Sequence, residues 1–178
     1  MQRLHTSLTK RVLVVSFPAT VLFSVVMMLV LLPQFLAISG GLLPLDLRIT
    51  YTPNEANTLF SALGEEGIAI YHSIQLFDMG FPIALAITLS STIALTYSSL
   101  RPAESKLPLT AFVPFFTAAF DYAENILVWT QLDAYPSTSS QVLLLAGTMS
   151  SIKVVLLVIS VSLALLCAIR YLITTARM

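Results

Sequence analysis

The sequence predicts an all-α fold: a bundle of four transmembrane helices, with a short amphipathic surface helix between the first and second. Three observations predict it. The 178 residues are 57% hydrophobic and only 10% charged, against about 25% charged in ordinary soluble domains. The apolar residues fall in four long runs of the length a bilayer requires. Between the first two runs lies Thr52-Pro53-Asn54-Glu55, a helix start with a capping residue, a first-turn proline and the glutamate of a capping box.

The first run extends from Val12 to about Ile38 and follows Arg3, Lys10 and Arg11. Ala37-Ile38-Ser39 has the small residues of a cleavage site, yet the run far exceeds the roughly 7–15 residues of a signal peptide core. It is therefore expected to be the first span, bent or ended by Pro33. Residues 39–67 form a polar connection. Within it a surface helix is expected over about 53–63, with Leu59, Phe60, Ala62 and Leu63 as its apolar side and Gly64 as its stop. This helix is either a packed connector or a lid over the centre of the bundle.

The second span is expected over about 68–97. Its first half carries Tyr71, His72, Gln75 and Asp78, and Tyr71, Gln75 and Asp78 share a side at i, i+4 and i+7. Pro82 lies four residues after Asp78 and removes the helical donor to the Asp78 carbonyl. A short loop from Ser98 to Pro108 holds Arg101, Glu104 and Lys106. The third span is expected over about 109–132, kinked at Pro114, with Thr117, Asp121, Glu124 and Asn125 along one side. Trp129 and Tyr135 stand where interfacial aromatics belong. The fourth span is expected over about 141–171. Lys153 falls about twelve residues in, near mid-membrane at about 1.5 Å per residue, and shares its side with Ala146, Met149, Ser150, Leu157 and Ser160.

Seven cations (Arg3, Lys10, Arg11, Arg101, Lys106, Arg170, Arg177) fall on one side of this topology and Arg48 on the other. The positive-inside rule then places both termini in the cytoplasm of a multi-pass cell-membrane protein. Net charge is zero and no basic block is present, so membrane lipid rather than nucleic acid is the expected partner. The single Cys167 excludes an intrachain disulfide and a CxxC pair. No phosphate loop, HExxH or GxSxG occurs, and no metal or cofactor is expected. His72 is the sole histidine among the polar groups, without ligand spacing.

The chemistry concentrates in Asp121-Tyr122-Ala123-Glu124-Asn125. At i, i+3 and i+4 its acids and amide point the same way. A carboxylate at mid-bilayer costs about 2.5–3.5 kcal/mol on insertion scales, so these residues must face a protein interior with partners. Counting residues puts Asp78, Asp121, Glu124 and Lys153 at comparable depth. Three acids against one lysine leave an excess of negative charge that a proton, His72 or a bound cation must offset. Lys153 is expected to pair with Asp121 or Glu124. The expected site comprises Tyr71, His72, Gln75, Asp78, Asp121, Glu124, Asn125 and Lys153. It is read as an intramembrane pocket for a small lipid-like or cationic ligand. The alternatives are proton or ion transfer through the same groups, or ion pairs that only lock a structural subunit together. The residues do not distinguish binding from catalysis.

Tyr51-Thr52-Pro53-Asn54-Glu55, Leu63-Gly64-Glu65-Glu66-Gly67, Asp78 with Phe81-Pro82, Asp121 through Asn125, and Lys153 together resemble a group of uncharacterised four-helix prokaryotic membrane proteins. That resemblance covers most of the chain after residue 50 and implies architecture only. A fainter architectural likeness is to the sterol-isomerase and sigma-2-receptor class, which also place acids in a membrane cavity. It rests on helix count and buried acids, and no residue role is carried over.

Overall fold

The computed structural model describes residues 2–100 and 107–176, and side chains from residue 9 onward. The loop cations Arg101 and Lys106, with Glu104 and Arg177, lie outside the described residues, as does the side chain of Arg3.

The first apolar run is helical throughout: α1 (Gln2–Val26), a π-helical turn (Met27–Leu31) and α2 (Leu32–Ile38). Pro33 neither ends nor breaks it. The π turn immediately before it widens the backbone, with the Leu32 N–H donating to the Met27 carbonyl five residues back. A wide turn removes the i−4 clash that a proline otherwise causes.

The capping box forms at the start of α3 (Pro53–Asp78): the Thr52 hydroxyl accepts from the Glu55 N–H, and the Glu55 carboxylate accepts from the Thr52 N–H. Gly64 interrupts α3 with φ +62° and ψ −172°, a conformation open in practice only to glycine. The segment before Gly64 buries Ala56, Leu59, Phe60 and Leu63, a stripe at i, i+3, i+4 and i+7. Ala62 is exposed, contrary to the sequence expectation. It lies one residue off that stripe, and Ala56 fills the place assigned to it. Helix also resumes directly after Gly64 rather than at residue 68.

The second span is two helices. A break at Met79 separates α3 from α4 (Gly80–Leu100). Pro82, in the first turn of α4, supplies the reason by withdrawing a donor from the preceding turn. Tyr122 bridges the break by donating to the Met79 carbonyl at 2.7 Å. Pro114, by contrast, produces no kink, because it occupies the first turn of α5 (Val113–Ala134) after a 3-10 turn (Leu109–Phe112). There its missing N–H costs nothing. The chain closes with α6 (Ser140–Thr175).

α5 and α6 pack along each other, and α4 packs against α1, α5 and α6. The main apolar core gathers Phe35, Tyr51, Phe60, Tyr71, Leu132 and Leu143, with Phe35 and Tyr71 edge to face at 4.8 Å. Cys167 packs against a smaller cluster of Ile93, Ala111 and Ala164. Three helical stretches are long and apolar enough to cross a membrane: Thr9–Ile38, Pro53–Leu100 and Ser140–Thr175. Their outward faces are apolar: Val14, Leu29, Leu76, Leu144 and Leu166 are each at least 60% exposed.

Candidate functional site

The centre of the bundle is built from four elements. α5 presents Asp121, Glu124 and Asn125 from successive turns, and α6 presents Lys153. α3 presents Asp78 from its last residue. The fourth is the loop after α2, which turns back at Gly40 and Gly41, both at positive φ, and runs inward along α6.

Lys153 is the hub. Its Nζ lies 2.6 Å from Glu124 Oε2 and 3.3 Å from Asp121 Oδ1. It also donates to the Asp46 carbonyl at 2.9 Å. An ammonium has three N–H donors, so these three partners occupy it fully. The expected pairing is therefore present with both acids of α5 rather than with one.

The inward loop is what sequence reasoning missed. Ser150 donates to the Arg48 carbonyl at 2.8 Å. Gly147 lies so close to the Tyr51 carbonyl that a Cβ there would clash with it. Tyr71 donates to Asp46 Oδ1 at 3.4 Å and accepts from the Leu45 N–H at 2.9 Å. Asp46 thus joins the site through tertiary contacts, carried there by the loop. The available signal was weak: Asp46 stands among Leu42, Leu43, Leu45 and Leu47, an apolar setting for a supposed surface loop.

Asp78 is buried and accepts from Asn125 Nδ2 at 3.3 Å. No cation among the described residues pairs with it. Asn125 Oδ1 and both amide atoms of Gln75 are buried without a hydrogen-bond partner among the described residues. Leaving such a group unsatisfied costs about 1–3 kcal/mol each, so this region is strongly polar for its depth.

His72 stands apart from the lysine hub. Its Nε2 is 3.2 Å from Asp133 Oδ1 and its ring packs on Trp129 at 4.4 Å. Asp133 is 62% exposed at its side chain, so this pair belongs to the edge of the bundle. Of the expected site residues, Asp78, Asp121, Glu124, Asn125 and Lys153 come together, Tyr71 joins them through Asp46, and Gln75 lies between them and His72 on α3.

Beside the hub is a cavity of about 260 Å³. Asp46, Asp78, Asp121 and Lys153 line its polar end. Elsewhere its wall is mostly apolar, with Met28 and Leu31 from the π turn, Leu85 and Leu89 from α4, and Leu157 from α6, interrupted by Ser24 and Thr117. Among the described residues, no three His, Cys, Asp or Glu side chains are placed to hold a metal ion. Comparison with known proteins finds no matching family model, no matching curated protein and no matching solved structure.

Proposed function

We propose that this is an integral membrane protein whose bundle encloses a binding pocket for a small lipid-like or cationic ligand. The observation that carries the reading is the cavity itself: a long apolar wall ending in a cluster of ionisable side chains. Ligand pockets pair a mostly apolar lining with a few convergent polar groups, and ionisable residues at membrane depth mark functional sites by default. The exposed apolar faces of α1 and α6 support a bilayer setting, and α5 is then the fourth span, its acids turned inward. A purely structural role accounts less well for the arrangement. One ion pair would hold the register of two helices, and here three carboxylates and a lysine line a cavity.

Native mass spectrometry of the protein released from lipid nanodiscs tests this. One bound amphiphile per chain is the expected result, and it should be lost in Ala86→Trp. Ala86 is 2% exposed and lines the cavity, so the indole fills the space a ligand would use. A chain that carries no adduct, or an adduct that survives Ala86→Trp, overturns the pocket.

A further inference from the structure

We propose that the cavity takes a short-chain alkylammonium, with its cationic head on Asp78 and its tail on the apolar wall between α1 and α6. This rests on the pocket reading above and names the class of molecule that the pocket selects.

The head group follows from the charges that line the cavity. Lys153 is committed to Asp121, Glu124 and the Asp46 carbonyl, so it has no donor left for an anionic ligand. A carboxylate or phosphate entering here would face Asp46, Asp78 and Asp121 with no cation to receive it, and like charges at close range in low dielectric are costly. An ammonium meets the opposite situation. Asp78 is buried at 6% exposure, lines the cavity and has no cationic partner among the described residues. Asn125, which is not part of the cavity lining, holds that carboxylate through its Nδ2 at 3.3 Å. A carboxylate at the wall of an apolar cavity suits a primary ammonium, which brings three donors and no acceptor.

The tail follows from size and shape. At about 30 Å³ for a water-sized group, a cavity of about 260 Å³ takes roughly eight or nine such groups, comparable to an octyl chain. The route follows from packing. α1 packs chiefly on α4, while Met28 from the π turn and Val154 and Leu157 from α6 face the same cavity. Met28 is 50% exposed and Leu47 38% exposed although both line it, so the mouth opens sideways beside them. An amphiphile dissolved in the bilayer enters there tail and head together, without crossing water.

The test uses the full chain in lipid nanodiscs, with binding to empty nanodiscs subtracted. The probes are labelled octylamine, octanol and octanoate at neutral pH. The expected result is saturable, one-site binding of octylamine, at least tenfold tighter than either other probe. In Asp78→Asn the octylamine affinity falls at least tenfold while octanol is unchanged. The comparison of head groups on the unsubstituted protein stands even if Asp78→Asn does not fold. Octanol or octanoate binding as tightly as octylamine, and blocked by Ala86→Trp, overturns the ammonium assignment and leaves the pocket in place. No saturable binding of any of the three probes overturns the assignment, and lack of any copurifying amphiphile as well would remove the pocket itself.

Discussion

Lys153 shows at the residue scale how a buried charge is made tolerable. It is 6% exposed and sits in the middle of a long apolar helix, where an unpaired ammonium would be expelled. Three close oxygens replace its hydration. Removing the lysine alone leaves Asp121 and Glu124 facing each other without a cation. That loss is expected to cost about 3–5 kcal/mol. Because the stranded carboxylates can take up protons, the penalty should shrink as pH falls. Lys153→Met should therefore melt well below the unsubstituted protein at neutral pH and approach it in acid. Lys153→Met/Glu124→Gln should recover part of the loss. Melting temperatures of both singles and the double across pH check this, and strictly additive losses without pH dependence would count against the hub.

At the scale of elements, the decisive contact is between the inward loop and α6. The loop carries Asp46 into the centre, and it can lie there because Gly147 presents no side chain toward the Tyr51 carbonyl. Gly147→Ala puts a methyl group against backbone that has no flexible end to yield. Overpacking of this kind costs about 1–3 kcal/mol. It should also detach the loop and loosen the hold of the Asp46 carbonyl on Lys153. The expected readout is faster hydrogen exchange across residues 45–51 than in the unsubstituted chain, with exchange at the capping box of α3 unchanged. Equal protection of the loop in both proteins would show that the close approach is not what holds it. α2, α4 and α5 display the complementary case, in which proline shapes a helix through its neighbours. A π turn absorbs Pro33, a break at Met79 absorbs Pro82, and a helix start absorbs Pro114.

Over the whole molecule, the distribution of charge and apolar surface predicts an orientation. In a four-span topology Lys10, Arg11 and Arg170 are expected on one side and Arg48 on the other, and outward-facing residues such as Val14, Leu29, Leu144 and Leu166 are apolar. With α5 as the fourth span, both termini are expected in the cytoplasm. Reporter fusions at each end, or protease protection in sealed vesicles, check the prediction. A terminus found on the far side would require one of the four long helices to stay out of the bilayer.

The helical class, the apolar runs, the capping box at Thr52, the break at Gly64 and the pairing of Lys153 with α5 were legible in the sequence. Each depends on neighbours within a turn or two, or on a charge that has few acids at its own depth to choose among. Periodicity and residue counting capture such facts because helix geometry converts sequence spacing directly into side and height. The place of Asp46 was not legible. It depends on bonds from α6 to carbonyls 102 and 107 residues away, and a segment without a helical period carries no record of where it folds back. His72 diverged for the same reason: its position on α3 agrees with the site, but Asp133 and Trp129 on α5 hold its ring. The sequence by itself thus determined the helical class and that the charges of α5 and α6 must find partners inside. The tertiary structure decided which of those charges meet, and that an apolar cavity opens beside them.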